Sequence, residues 1–310
     1  MNMKSQLLNI LKDGSKPVSG EILSKQLGIS RVAVWKHIQK LQTCGYEIVS
    51  GPTGYRLRHS PDTPYSWEFP QREALIHYFD QLDSTMDMAR RMARKGCTDF
   101  TVVIAGSQSR GRGRMDRNWV SPEGGLYFTL VLRPDIPAVI SPRVNFATAL
   151  VLAHTLRDVC GIDARVKWPN DILVQGQKIC GMLSEMEATE DRVAYINIGI
   201  GINMNNPPPP DLPTATSVHA LTAQSISRKK FLAEFLNRLA VKMQSQDFST
   251  IMDEWKSISA TLGQQVRIVS RHEVNAGKAV DVDPNGALIV EKADGTLKTI
   301  YYGDCFHGHP

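Results

Sequence analysis

GSQSRGRGRMDRNWVSPEGGLYFTLVLR, residues 106–133, sets the reading of this 310-residue chain. The run opens with alternating glycine and arginine, Gly111-Arg112-Gly113-Arg114, followed by Arg117. It then passes Trp119 and enters an apolar stretch, residues 126–132, that predicts a buried strand. Glycine permits backbone shapes that other residues resist. Arginine supplies planar, permanently charged donors that suit carboxylate and phosphate oxygens. A loop of this kind beside a strand suits a clamp for an anionic nucleotide; taken alone, it reads better as a solvated basic loop. Two later stretches, KWPND (167–171) and INIGIGINMN (196–205), favour the clamp.

Upstream, TVVIA (101–105) predicts a strand that delivers Gln108 and the loop. Before it, a strand lead-in over 74–82 ends at Asp83-Ser84-Thr85-Met86-Asp87, where Asp83 or Ser84 caps a helix over 86–95. Free N–H groups and hydroxyls at a helix start suit a polar ligand, although a Ser-Thr pair by itself is usually only a cap. Downstream, a helix is expected over 145–159. Pro169 then breaks RVKWPNDILV (165–174) into two short strands, so Asn170 and Asp171 project from a bend. A buried Asp171 opposite two arginines would hold Mg²⁺ or orient a loop; an Asx-turn fits the local sequence as well. Lys178 begins the strand KICGMLSEM, either pointing into a pocket or lying at the strand edge. VAYINIGIGINMN (193–205) predicts a strand whose Gly199 and Gly201 admit close approach of a ligand. Residues 207–210 read as a rigid surface segment, 215–218 as the lead into a loop, and 229–246 as a long amphipathic helix.

The N-terminal sixty residues differ in charge. They carry nine Lys or Arg against three Asp or Glu, while the remaining 250 carry 27 against 28. The overall +5 therefore resides in the first fifth of the chain and points to a polyanion partner there. Three helices are expected: 2–12, ending at Gly14; one capped by Ser19 and running to Leu27; and one capped by Ser30, with Val34, Ile38 and Leu41 as its buried stripe. EIVS and YRLR, joined by Gly51-Pro52-Thr53-Gly54, read as a hairpin wing. Helix, glycine turn, basic helix and wing resemble a winged helix-turn-helix within which Gly20 to Gln39 form the DNA-binding motif. Arg31, Lys36, His37 and Lys40 are its candidate DNA contacts; a solvated basic helix in a protein-interaction module is the alternative. Residues 60–64 read as a linker.

A helix is expected over 251–262. After it, QQVRIVS, EVNAGKAVDVD, ALIVEKA and TLKTIYYGD predict short strands joined by turns at 283–286 and 294–295, a small barrel with no catalytic cluster. His307 and His309 near the C-terminus lack the partners of a zinc site. The five cysteines are scattered, with no C-x-x-C pair, so a reducing, cytoplasmic setting is expected. No apolar stretch reads as long enough to span a bilayer, and no signal peptide is expected.

GRGR with its downstream tryptophan, KWPND, the lysine seven residues after that aspartate, and GIGINMN, in this order behind a winged helix, resemble the bifunctional biotin protein ligases that double as biotin operon repressors. The resemblance covers essentially the whole chain, and KWPND with Lys178 is its most specific part. It implies an α/β multidomain fold: an N-terminal winged helix-turn-helix (1–62), a central α/β domain like that of class II aminoacyl-tRNA synthetases (63–262), and a C-terminal SH3-like small β-barrel (263–310). It implies that Ser84, Thr85, Met86 and Gln108 contact biotin. Arg112, Gly113 and Arg114 would close over biotin and its adenylate, and Lys178 would meet the biotin carboxylate and the phosphate. Asn170 and Asp171 would lie near ATP and Mg²⁺, with Asp171 the metal contact. The implied partners are the biotin carboxyl-carrier domain of acetyl-CoA carboxylase, operator DNA, and a second copy of the chain when adenylate is bound; no membrane is implied.

The chain departs from that pattern at three positions. Met86 stands where the family often has asparagine, Met115 where a third arginine often occurs, and Asp116 replaces the last glycine of the loop. Two other functions stay open on sequence: a biotin-sensing repressor without ligase activity, and a ligase for another carboxylate such as lipoate.

Overall fold

Glycine and serine set the ends of the first helices. The computed structural model describes residues 2–13, 16–209, 212–245 and 248–308, and the chain forms two compact units, Met1–His77 and Tyr78–Pro310. The expected positions of Gly14, Pro210, Gln246 and His309 lie outside the described residues. In the first unit, α1 (Met3–Asp13), α2 (Gly20–Leu27) and α3 (Arg31–Thr43) precede a two-stranded antiparallel hairpin of β1 (Glu47–Gly51) and β2 (Gly54–His59). Ser19 Oγ accepts the Ile22 N–H at 3.2 Å and Ser30 Oγ the Ala33 N–H at 3.1 Å, each satisfying a donor that the helix start leaves open. Gly28 ends α2 at φ 66°, the left-handed cap that glycine takes most easily.

Leu7, Leu8, Leu11, Leu23, Val34, Ile38, Leu41, Tyr46 and Ile48 form the core of this unit. Tyr65 and Trp67 pack against it, and Glu68 receives the Lys12 ammonium at 2.8 Å and the Tyr46 hydroxyl. Residues 63–77 thus belong to the first compact unit, although the sequence division begins the middle domain at 63.

The second unit contains a seven-stranded sheet. Its strands are β3 (Ile76–Leu82), β4 (Thr101–Gln108), β5 (Leu126–Leu132), β6 (Arg165–Lys167), β7 (Asp171–Val174), β8 (Gln177–Thr189) and β9 (Arg192–Ile202), ordered β3-β4-β5-β9-β8-β7-β6. The ladders from β4 to β6 are antiparallel. All seven residues of β5 are buried, as expected for a central strand. Helix α4 (Thr85–Arg94) packs on β4, β5 and β9. Helix α5 (Ser141–Cys160) packs on the sheet and on α7 (Arg228–Ser245) and α8 (Ile251–Ser257). Residues 138–160 are long and apolar enough to cross a membrane, which corrects the sequence expectation, but 56% of the apolar window is buried inside the protein. It is placed as a core helix.

Two further expectations change. Residues 215–218 lead into the short helix α6 (Val218–Thr222), capped by Ser217 Oγ at 3.2 Å from the Ala220 N–H. The helix expected over 251–262 ends at Ser257 because the following backbone pairs with β6: Val166 N–H donates to Ile258 O at 3.2 Å, and Ala260 N–H to Val166 O at 2.8 Å. Beyond it, β10 (Gln265–Val269), β11 (Val274–Val282), β12 (Leu288–Glu291), β13 (Leu297–Ile300) and β14 (Asp304–His307) form an antiparallel sheet ordered β13-β12-β11-β10-β14. The sequence reading missed the fifth strand, β14. Trp168, 1% exposed, joins this sheet to the large one by donating from Nε1 to Gly286 O at 2.9 Å.

Candidate active site

The floor of a cleft of about 460 Å³ is glycine backbone. Gly181 of β8 and Gly201 of β9 face each other directly in the ladder. The Trp119 ring lies across the pair: a Cβ at Gly201 would stand 2.5 Å from its Cε2, and one at Gly181 would stand 2.8 Å from its Cζ3. Met86, 3% exposed, rests on Gly199 in the same manner, with its sulfur 2.6 Å from where a Cβ would be. The glycines expected to admit a ligand thus admit Trp119 and Met86. At Met86, an apolar contact stands where the family pattern has an amide.

One wall is a chain of hydroxyls and an amide. Thr129 of β5, fully buried, donates to Thr85 Oγ1 at 2.9 Å. Thr85 donates to Gln108 Oε1 from its hydroxyl at 3.1 Å and from its backbone N–H at 2.8 Å. Gln108 Nε2 donates in turn to Ser121 Oγ at 2.9 Å. Ser84 differs: it caps α4 in extended backbone, is 2% exposed, and its hydroxyl has no partner although it lines the cleft. A buried hydroxyl without a partner costs free energy that a polar ligand recovers.

The glycine-arginine loop is a hairpin. Gly113 N–H donates to Arg117 O at 2.7 Å, Arg117 N–H to Arg114 O at 3.1 Å, and Trp119 N–H to Gly111 O at 2.9 Å. Its tip, Met115 at φ 51° and Asp116 at φ 59°, is left-handed at both positions, as a tight hairpin turn of this hand requires. Aspartate tolerates that conformation better than most residues. The Asp116 side chain is 94% exposed and faces Arg271 at 3.3 Å. Arg117 pairs with Asp304 of β14. Arg112 forks between Asp87 Oδ1 at 3.1 Å and Glu185 Oε1 at 2.7 Å.

Arg114 points inward and donates to Asn170 Oδ1 at 3.2 Å. Burial pulls its guanidinium below the ordinary arginine range, and Asp171 opposes that shift. Asp171 Oδ1 is enclosed and meets the Lys178 ammonium at 2.6 Å. Lys178 also lies over the Trp119 ring, 5.3 Å from its centroid. Five basic side chains line the cleft (Arg112, Arg114, Arg117, Lys167 and Lys178) against two carboxylates, Asp171 and Asp304. That balance suits an anionic ligand.

Among the described residues no group of three or more His, Cys, Asp or Glu side chains forms a metal cage. One enclosed carboxylate, Asp171, fits Mg²⁺ carried on nucleotide phosphates, since that ion commonly takes one or two carboxylates and keeps several waters.

The cleft is lined by Ser84, Thr85, Met86, Gln108, Arg112, Gly113, Arg114, Asn170, Asp171 and Lys178, all ten residues named from sequence. Asp304 and Phe306, which no sequence signal marked, also line it, as does His307, which the sequence offered only as a poor zinc ligand. His307 Nε2 lies 3.2 Å from Thr261 Oγ1, and burial beside Lys167 lowers its pKa to about 4. In the first unit, Arg31, Lys36 and Lys40 are exposed along α3. His37 stands apart from them, half-buried, with Nδ1 enclosed and its pKa lowered first by that burial and then by Lys40 and Lys4.

Residues 78–203 match the biotin/lipoate A/B protein ligase family, residues 4–56 an HTH domain, and residues 261–308 the biotin protein ligase C-terminal domain. The chain is 36% identical over 308 residues to the bifunctional ligase/repressor BirA of Bacillus subtilis (strain 168), covering 94% of each. It is 32% identical over 223 residues to the biotin–[acetyl-CoA-carboxylase] ligase of Paracoccus denitrificans, covering 69% of this chain and 92% of that protein. The solved structure of the Aquifex aeolicus biotin protein ligase in complex with biotin and ATP superposes with a TM-score of 0.65 at 26% identity, covering 76% of this chain and 99% of that one. An N-terminal HTH unit, a ligase sheet with this cleft and a C-terminal sheet in one chain, together with those identities, make it a member of the bifunctional biotin protein ligase/repressor family.

Proposed function

We propose that the chain activates biotin with ATP, transfers it to a lysine of a biotin carboxyl-carrier domain, and represses transcription in response to biotin. The observation that carries the catalytic reading is the cleft itself: a partnerless buried Ser84 hydroxyl and an ordered Thr85–Gln108 pair at one end, and Arg112, Arg114 and Lys178 at the other.

In the first step a biotin carboxylate oxygen bonds to the α-phosphorus of ATP. The bond from that phosphorus to the bridging oxygen breaks, and pyrophosphate leaves. Negative charge on the phosphate oxygens rises and shifts, so the work of this site is positioning and electrostatic stabilisation. Ser84, Thr85 and Gln108 hold the polar ring of biotin. Lys178, oriented by Asp171, meets the carboxylate and the phosphate. Arg114, held by Asn170, keeps its charge in a partly dry setting where it counts for more than in water. Arg112 exchanges Asp87 and Glu185 for the ligand. Mg²⁺, when bound, neutralises phosphate charge, with Asp171 its protein carboxylate. In the second step a neutral acceptor lysine attacks the carbonyl carbon of the mixed anhydride. The bond to the phosphate oxygen breaks, AMP leaves, and the nitrogen gives up a proton. Between the steps the 112–119 hairpin keeps water from the anhydride.

The antiparallel sheet flanked by α5 supports a class II aminoacyl-tRNA synthetase-like core, and the five-stranded C-terminal sheet supports an SH3-like barrel. The acceptor is proposed to be the carrier domain of acetyl-CoA carboxylase, in line with the Paracoccus relative's name. For repression, α3 enters operator DNA, and adenylate favours a homodimer whose two-fold axis matches a palindromic site. All five cysteines are free thiols, which supports a cytoplasmic setting. The test uses the full chain with MgATP, a purified carrier domain, and biotin or lipoate. Biotin is expected to raise the carrier mass by one biotinyl group; a gain with lipoate alone would overturn the choice of substrate.

A further inference from the structure

Basic charge on the first unit accounts for affinity toward a polyanion, but α3 also displays groups that charge does not explain. At about 100° per residue, the buried Val34, Ile38 and Leu41 fix one face of this helix. The opposite face is centred on Val32, Lys36 and Gln39, flanked by Trp35 on one side and Lys40 on the other, and all five are exposed. Two of these are large apolar side chains in water: Val32 is 62% exposed and Trp35 is 50% exposed. They lie one turn apart, just after the Ser30 cap, at the end of a recognition helix that meets base edges. Arg31, Lys36 and Lys40 surround them with positive charge, so the partner of this apolar patch is itself strongly anionic. Duplex DNA unites both properties, because its major groove presents one apolar group, the thymine C5-methyl.

We propose that Val32 and Trp35 form an apolar reading edge that takes thymine methyl groups in the major groove, while the Gln39 amide bonds the adenine of a neighbouring A·T pair. Arg31, Lys36 and Lys40 then position the helix on phosphates. The half-buried His37 takes no part in base reading. This inference rests on the DNA-binding reading above and adds which bases are read and by which side chains.

The test begins with a pool of duplexes carrying a randomised 40-bp centre, selected on the full chain in the presence of biotin and MgATP. Selected sites are then remade with deoxyuridine in place of thymine, which removes only the C5-methyl. Each methyl is expected to contribute about fourfold in affinity, the value of burying one such group. Val32→Ala and Trp35→Ala should bind the thymine and deoxyuridine duplexes alike at one or more positions, while keeping ligase activity and salt-dependent binding to unselected DNA. Equal binding of the two duplexes by the unmodified protein, or undiminished discrimination by both variants, overturns the inference and leaves the DNA reading standing. Failure of any duplex to enrich overturns both. The deoxyuridine comparison on the unmodified protein needs no variant, so a folding defect in either substitution does not blunt the test.

Discussion

Replacing Gly201 with alanine adds a single methyl group at a position whose backbone tolerates any residue, because Gly201 is not among the positive-φ glycines. The cost must therefore come from what the methyl meets. It would stand 2.5 Å from Trp119 Cε2 and 2.9 Å from Cδ1, and would also strike Nε1. Carbon atoms rest about 3.5–4.0 Å apart, so the indole has to move by roughly 1 Å or leave the glycine pair. Overpacking of this size costs about 1–3 kcal/mol. For a cooperative unit of this size, each kcal/mol lowers the thermal midpoint by about 2–4 °C. The assay is a four-variant cycle on the full chain: unmodified, Gly201→Ala, Trp119→Ala, and both. Calorimetric scans are followed by biotin titration. Gly201→Ala should lower the midpoint in the unmodified background and leave it nearly unchanged once Trp119 is alanine. An equal drop in both backgrounds would refute the claim that Trp119 rests on the glycine floor.

Thr129→Val removes a buried hydroxyl that orients Thr85. With a hydrogen bond worth about 0.5–1.5 kcal/mol, biotin affinity by titration calorimetry should weaken about fivefold, and unchanged affinity would exclude the hydroxyl chain from binding. Met115→Gly relieves a left-handed methionine, a conformation that costs about 1–2 kcal/mol. Amide exchange at Gly113, whose N–H is held by Arg117 O, should slow, and faster exchange would contradict a strained tip. His307 titrates near 6.5 when unfolded and at about 4 in the fold, where burial and Lys167 outweigh Asp171. Above the unfolded value both states are neutral and it has no effect. As the pH falls from 6.5 toward 4 the unfolded chain takes the proton first, so stability declines across that window. His307→Gln should flatten that decline in pH-dependent scans, and an unchanged slope would assign it to other groups.

The parts legible in sequence were those carried by local chemistry. Ser19 and Ser30 announce caps, Val34, Ile38 and Leu41 announce a face, and the ten candidate site residues come from motifs that each lie within a short run. What escaped depends on distant partners. Helix α8 stops at Ser257 because residues 258–260 pair with Val166, ninety residues earlier in the chain. Strand β14 (Asp304–His307) escaped because its place is fixed by pairing with β10, some forty residues earlier in the chain, rather than by its own sequence. Gly199 and Gly201 read in sequence as places where a ligand comes close, but the groups that approach them are Met86 and Trp119, which come from elsewhere in the chain. The Asp116 departure resolves locally, at the left-handed tip of a hairpin that the sequence showed only as a loop.

The central claim is that one cleft activates the biotin carboxylate by charge, with Lys178 meeting both carboxylate and phosphate. Biotin-dependent exchange of labelled pyrophosphate into ATP measures that step without any acceptor. The full chain should catalyse the exchange with biotin and MgATP, and Lys178→Ala should lose it by at least a hundredfold while remaining folded. Exchange that persists in Lys178→Ala, or that proceeds without biotin, would contradict the account.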